Sequence, residues 1–119
     1  MKYLYAGFCK RLPVKKNLVL FESFHGRDIS DSPLYIARAL LEISDINEYE
    51  MYFATADMKK HKQQIAELEL DVKLVDIHSK EYAQVLATSE YLVNNSSFPS
   101  YFVKRKGQKY LQTWHGTPL

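Results

Sequence analysis

Asn17-Leu18-Val19-Leu20-Phe21-Glu22-Ser23-Phe24-His25-Gly26-Arg27-Asp28-Ile29-Ser30-Asp31-Ser32-Pro33 passes from an apolar run, through a polar stretch, into a helix start. Asn17 to Glu22 reads as a short buried strand. Ser23 to Asp31 is polar and contains Gly26, so it reads as a loop. Ser32 is placed as an N-cap with Pro33 at the first helical position, where its missing N–H costs nothing. The helix then runs to about Ser44, with Ile36, Ala37, Leu40 and Ile43 on one face.

The same alternation continues along the chain. Tyr49–Ala56 reads as a second strand and Met58–Leu68 as a polar helix with Ile65 and Leu68 inward. Val72–Ile77 is a third strand. Ser79 caps a helix that buries Tyr82, Ala83, Val85 and Leu86. Glu90–Asn94 is a fourth strand, Tyr101–Val103 a short apolar turn, and Lys109–Trp114 a fifth strand. Strands that alternate with helices of about ten residues suit right-handed parallel crossovers. The expected fold class is therefore α/β: a doubly wound parallel sheet with five strands and helices on both faces. Leu18–Phe21 is expected away from the sheet edge.

Whole-chain quantities agree with one such domain. The chain has 119 residues, 46% hydrophobic and 25% charged, which gives room for one core. No run approaches the roughly 20 apolar residues that span a bilayer. Met1 to Val14 lacks the long apolar core and small-residue cleavage site of a signal peptide. Cys9 is alone, so there is no disulfide framework, in keeping with a reducing cytoplasm. The net charge of +2 hides an asymmetry. Residues 1–16 carry five basic groups and no acid, residues 17–103 carry seven basic and fourteen acidic groups, and residues 104–109 are basic again.

Ligands in doubly wound sheets bind beyond the carboxyl ends of the strands. Those ends here are Ser23–Arg27, Thr55–Asp57, His78, Asn94–Ser97 and His115–Thr117, so the polar candidates collect at one rim. His115 is the sharpest. A strand delivers it to a turn of Gly116, Thr117 and Pro118, and imidazole can take a proton from an alcohol near neutrality. A histidine merely satisfied in a strand-end turn fits the spacing equally well. Gly-Thr-Pro resembles the opening of a further element, which points to a chemical half-site whose other half lies elsewhere. His25, Gly26 and Arg27 stand before a helix N-terminus, an arrangement that holds anions, or else form a solvated loop. No GxGxxG or Walker pattern accompanies them. Asn94, Asn95, Ser96 and Ser97 can orient a hydroxyl or phosphate, or serve only as turn residues.

The remaining motifs carry less. His61 lies on a Lys-rich helical face and is expected in solvent. His78 begins a turn. The four histidines and Cys9 lack close metal-ligand spacing, so no structural zinc is expected. Phe98-Pro99-Ser100-Tyr101-Phe102 beside Lys104-Arg105-Lys106 lacks any nucleic-acid recognition motif, and core aromatics next to a solvated charge run explain it better. Met1–Pro13 interleaves Tyr3, Leu4, Phe8 and Leu12 with Lys2, Lys10 and Arg11. It reads as a basic amphipathic helix for a membrane surface or as a linker.

Three segments resemble one family. They are Phe21–Arg27, then Ser30-Asp31-Ser32-Pro33, then Val103-Lys104-Arg105-Lys106-Gly107-Gln108-Lys109-Tyr110-Leu111-Gln112-Thr113-Trp114-His115-Gly116-Thr117-Pro118-Leu119. Together they resemble the CDP-glycerol glycerophosphotransferases, the primases and polymerases of teichoic acids. The likeness covers roughly Lys15 to Leu119, and the closing segment is its most specific part. The resemblance implies a Rossmann-like N-terminal half of a GT-B-like fold. Residues 1–16 would be a basic lead or linker, and residues 17–119 the acceptor-side domain. A C-terminal donor domain, with most nucleotide-binding groups and a second important histidine, would lie outside this chain.

It further implies transfer of glycerol phosphate from CDP-glycerol to a hydroxyl of a lipid-linked polymer, with release of CMP. His115 would be the general base. His25, Gly26, Arg27, Asn94, Asn95, Gly116 and Thr117 would contact substrate. Asn94 and Asn95 stand where the family places polar or acidic residues near the cleft. No cofactor, metal or nucleic acid is implied. The expected location is the cytoplasm, peripheral on the inner face of the membrane, with anionic lipid as a partner surface. Two other classes fit the chain: a non-catalytic remnant or binding domain, and half of a nucleotide-sugar glycosyltransferase.

Overall fold

The computed structural model describes residues 11–29, 31–43, 48–95, 98–99, 102 and 104–113, with the side chains of Asp31 and Ser32 excepted. The elements are β1 (Lys15–Glu22), a 3-10 turn (Phe24–Gly26), α1 (Asp31–Ile43), β2 (Glu50–Thr55), α2 (Met58–Glu67), β3 (Lys73–Asp76), α3 (Lys80–Thr88), β4 (Ser89–Asn94) and β5 (Lys109–Gln112). The strands form one sheet in the order β3-β2-β1-β4-β5. Every pairing is parallel. The expected doubly wound α/β architecture is therefore what the chain adopts, with β1 at the centre.

The sequence of β1 shows why it takes that place. Leu18-Val19-Leu20-Phe21 is apolar at consecutive positions, the pattern of a strand covered on both faces. Val19 and Phe21 point to one side, where they pack with Met51, Phe53 and Val93 under α1 and α2. Leu20 points to the other, joining Ala54, Val75 and Leu92 under Tyr82, Ala83, Val85 and Leu86 of α3. The rings of Phe21 and Phe53 stack with centroids 5.9 Å apart. Burying a side chain of this size contributes about 1.5–3 kcal/mol, so a polar residue at Leu20 or Phe21 would cost a large part of a domain's stability.

Helix starts follow local chemistry. Ser79 Oγ accepts from Tyr82 N at 3.2 Å and donates to Asp76 O at 2.6 Å, capping α3 as expected. Asp57 Oδ1 accepts from Lys60 N at 3.1 Å and caps α2. α1 begins at Asp31, which puts Ser32 inside the first turn rather than at the cap. Boundaries of this kind shift by a residue or two. Beyond α3, Gln108 is buried and its Nε2 donates to Leu86 O, Ala87 O and Ser89 O at 2.9, 3.2 and 2.9 Å. That amide fastens the approach to β5 onto the α3–β4 turn. Phe98 is buried in the same layer, tilted against Phe102 and Tyr110 at 5.2 Å from each, so the described part of the aromatic stretch is core. Among the described residues no helix is long and apolar enough to cross a membrane.

Candidate functional site

The parallel sheet brings the carboxyl ends of all five strands to one rim, at Glu22, Thr55, Asp76, Asn94 and Gln112. Among the described residues, the turn after β1 is tightly constrained. Phe24, His25 and Gly26 take φ of 51°, 58° and 83° in succession. Left-handed conformations at two non-glycine residues cost on the order of 1 kcal/mol or more each and persist only where surroundings enforce them. Here the surroundings are explicit. Gly26 N donates to Ser23 O at 3.0 Å and Arg27 N to Phe24 O at 3.1 Å. Ala56 N donates to Gly26 O at 2.7 Å. Phe24 N donates to Asn95 Oδ1 at 2.9 Å. The turn is thus pinned to the end of β2 on one side and the end of β4 on the other. His25 and Arg27 are exposed on it, and Gly26 is buried beneath.

Asn94 and Asn95 are both buried, at 0% and 2% exposure, and each ties strands together. Asn95 holds Phe24. Asn94 O accepts from Thr113 N at 2.7 Å, and Thr113 Oγ1 also lies 3.4 Å away. Asn94 Nδ2 reaches Glu22 Oε2 at 3.5 Å. The structure therefore brings His25, Gly26 and Arg27 together with Asn94 and Asn95 at the junction of β1 and β4, and β5 joins them at Thr113. His115, Gly116 and Thr117 lie outside the described residues, as do Ser96, Ser97 and Trp114.

Glu22 is the residue that sequence reasoning passed over. It closes β1 with 2% exposure, on the face that looks toward α3. Tyr82 Oη donates to its Oε1 at 2.5 Å. Burial pushes its carboxyl from the ordinary range up to about 7, and the hydrogen bonds from Tyr82 and Asn94 oppose this only in part. Its signal was available: an acid directly after Leu18–Phe21 in a strand covered on both faces must be buried unless the strand has already emerged.

His61 corrects an expectation. It is fully buried, not solvated. The lysines around it obscured a regular spacing: His61, Ile65 and Leu68 fall at i, i+4 and i+7 and share the inward face of α2. His61 Nδ1 contacts Thr55 Oγ1. Thr55 Oγ1 also accepts from Asp57 N at 2.9 Å, so the same hydroxyl ties the imidazole to the start of α2. Nε2 has no hydrogen-bond partner among the described residues. Burial, with Lys60 adding to it, lowers the His61 pKa below its usual value. A neutral imidazole thus sits beneath the rim, close to the stretch bearing Arg27 and Asp28. His78 is exposed at the turn expected for it, its N–H bound to Asp76 Oδ1 at 2.8 Å.

A groove of about 330 Å³ lies between α1 and the face of strands β1, β4 and β5. Its walls include Ile36, Leu40, Val93 and Leu111, with Lys109 as the charged member. Such a lining suits apolar packing and offers no converging set of proton-transfer or phosphate-binding groups.

The family described as CDP-Glycerol:Poly(glycerophosphate) glycerophosphotransferase matches residues 4–119. A teichoic acid poly(glycerol phosphate) polymerase of Bacillus subtilis (strain 168) is 38% identical over 92% of this chain, which covers 14% of that protein. A teichoic acid glycerol-phosphate transferase of Staphylococcus aureus (strain NCTC 8325 / PS 47) is 34% identical over 92% of this chain and 26% of its own length. The solved wall teichoic acid polymerase TagF superposes with a TM-score of 0.81 at 32% identity, over 99% of this chain and 27% of that one. A TagF variant soaked with CDPG superposes at 0.83 and 30% identity. The chain thus spans roughly a seventh to a quarter of the proteins it matches.

Proposed function

Because the chain belongs to the CDP-glycerol:poly(glycerophosphate) glycerophosphotransferase family, we propose that it forms the acceptor-side, Rossmann-like domain of a transferase that moves glycerol phosphate from CDP-glycerol to a polymer hydroxyl. The observation that carries this reading is the family match across residues 4–119, which includes the whole rim and the closing Trp114-His115-Gly116-Thr117 segment. In the reaction the acceptor hydroxyl oxygen attacks the phosphorus of the glycerol phosphate group. A new O–P bond forms, the P–O bond to the cytidylyl phosphate breaks, and CMP leaves with the electron pair.

His115 takes the hydroxyl proton as that bond forms. The chemistry otherwise consists of positioning and of balancing charge on phosphate oxygens. His25, Gly26 and Arg27 hold an anionic group at the turn after β1, where Arg27 is an exposed guanidinium beside the rim. Gly116 and Thr117 offer amides and a hydroxyl to phosphate oxygens. Asn94 and Asn95 act through the β1–β4–β5 junction that they tie together. The remaining donor contacts, and a second histidine, belong to a C-terminal domain beyond residue 119. The basic lead that precedes β1 rests on anionic lipid at the inner membrane face, where the polymer is anchored.

The test is a CMP-release assay on the longer protein that carries this segment, with CDP-glycerol and a lipid-linked acceptor. Release that needs both substrates is expected. Turnover of a nucleotide sugar with no use of CDP-glycerol would replace this reading with a glycosyltransferase. No turnover of either donor would leave a binding domain.

A further inference from the structure

We infer that Glu22 is a positioning residue of the rim: its carboxyl group, acting through Asn94, sets how the chain leaves β5 at Thr113, two residues before His115 in the sequence. The connection is continuous in the structure. Glu22 Oε2 receives Asn94 Nδ2 at 3.5 Å, and Asn94 O receives Thr113 N at 2.7 Å. Thr113 directly follows β5 and stands two residues before His115. On its other side Glu22 Oε1 receives the Tyr82 hydroxyl at 2.5 Å. One carboxyl therefore links β1, β4 and α3, and through Asn94 reaches β5.

A carboxyl is a costly choice for packing alone. Leu20, two residues earlier on the same face of β1, is fully buried in an apolar cluster. Burying an acid without a cationic partner is unfavourable. The titratable groups facing Glu22 are Tyr82 on α3 and Tyr110 on β5; the Tyr110 pKa is itself raised, first by burial and then by the Glu22 charge. β4 contributes only the neutral Asn94. Among the described residues no Lys, Arg or His offsets the charge.

What a carboxyl does, and an alkyl chain does not, is accept from two elements at once and change its bonding with a proton. Ionised, its two oxygens accept from Tyr82 and Asn94 together. Protonated, one oxygen becomes a donor and accepts less well, so the bond on that oxygen weakens or turns round. With the Glu22 carboxyl poised at about 7, that rearrangement falls within the physiological range. Asn94 passes it to Thr113 through the backbone hydrogen bond.

The catalytic consequence rests on the transferase reading; the mechanical coupling does not. The first experiment follows backbone amide shifts by NMR in this chain between pH 5.5 and 8.5. The Thr113 amide is expected to titrate with a midpoint near 7, while the distant Lys60 amide stays still. Glu22→Gln should abolish the Thr113 titration. Tyr82→Phe should move the midpoint upward, because a donor to the ionised form is lost. A Thr113 amide that is silent in the wild type, or that titrates unchanged in Glu22→Gln, overturns the proposal.

The second experiment measures turnover in the longer protein. Glu22→Gln should lower kcat roughly 10-fold to 100-fold at pH 8, the scale of a misplacement of about 1 Å, with KM for CDP-glycerol unchanged. Wild-type kcat in that variant, with active wild type alongside, also overturns it. A wild type that releases no CMP sinks the transferase reading instead, and the Thr113 titration then decides the role of Glu22 alone.

Discussion

The carbonyl of Gly26 accepts a 2.7 Å hydrogen bond from the amide of Ala56, so the turn after β1 rests directly on the end of β2. The approach leaves no room for a side chain. A Cβ on Gly26 would stand 3.0 Å from Ala56 N and 3.0 Å from Ile77 Cγ2, at a φ of +83°. Gly26→Ala is expected to destabilise the chain by about 1–3 kcal/mol through backbone strain and crowding. Urea unfolding should show a lower midpoint with an unchanged slope. An unchanged midpoint would mean that the turn yields without cost.

Glu22 makes a prediction about stability and pH. Its carboxyl is at about 7 in the folded chain against 4.5 ordinarily. Between those values the unfolded chain has lost the proton and the folded chain keeps it. Stability attributable to Glu22 is therefore fully present below about 4.5 and falls as pH rises to about 7, by roughly 3 kcal/mol at 1.36 kcal/mol per pKa unit. Glu22→Gln should remove that slope and be more stable than wild type at pH 8. Denaturation midpoints for both proteins at pH 5 and pH 8 check it.

His61 acts in the opposite sense. Its folded pKa lies below the usual 6.5, so acidification protonates the unfolded chain first. Stability from His61 is present above 6.5 and is lost as pH falls toward the lowered folded value. His61→Leu should flatten this acid-side loss and steepen the net fall contributed by Glu22 between pH 5 and 7. Equal pH slopes in wild type and variant would show that folding leaves the His61 pKa unshifted.

His115→Ala, in the longer protein, should reduce turnover by roughly 10²–10⁴-fold, the range for a positioned acid–base group. CDP-glycerol affinity should change little, and the acidic limb of the rate profile should flatten. A structural His115 would instead lower the melting temperature and leave folded enzyme working at the normal rate. Measuring both properties on one preparation separates the two.

Membrane attachment through the basic lead is testable with charge reversals that spare the sheet. Lys15 belongs to β1 and pairs with Glu50 at 2.6 Å, so deletions should stop at residue 10. Reversing Lys2, Lys10 and Arg11 should weaken binding to anionic liposomes by about 1 kcal/mol per residue at low salt. Binding indifferent to salt or to these changes would count against a lipid-facing role.

Most of the sheet was legible because α/β chains write their elements in series. The apolar run of β1, the Ser79 cap and the buried side of α3 need only local rules. The site was less so. Asn95 meets Phe24 only because β4 lies beside β1, an adjacency made by a crossover rather than by sequence order. The burial of Glu22 follows from its place at the end of β1, but nothing local says that Tyr82 and Asn94 are its partners. His61 was hidden by neighbouring lysines, whose charges face solvent while the imidazole turns inward. In each case the deciding partner comes from another element of the fold.

The central position of β1 also bears on how the chain is made. The bond between Phe24 N and Asn95 Oδ1 joins residues 71 apart. At synthesis rates of about 5–20 residues per second, the first strand waits roughly 4–14 s for the neighbour that completes its turn. During that interval Leu18–Phe21 is an apolar strand with an open edge, the kind of segment that seeks the wrong partner. Slowing translation downstream of residue 30 should therefore increase capture of the nascent chain by holdase chaperones, whereas slowing it after residue 113 should not.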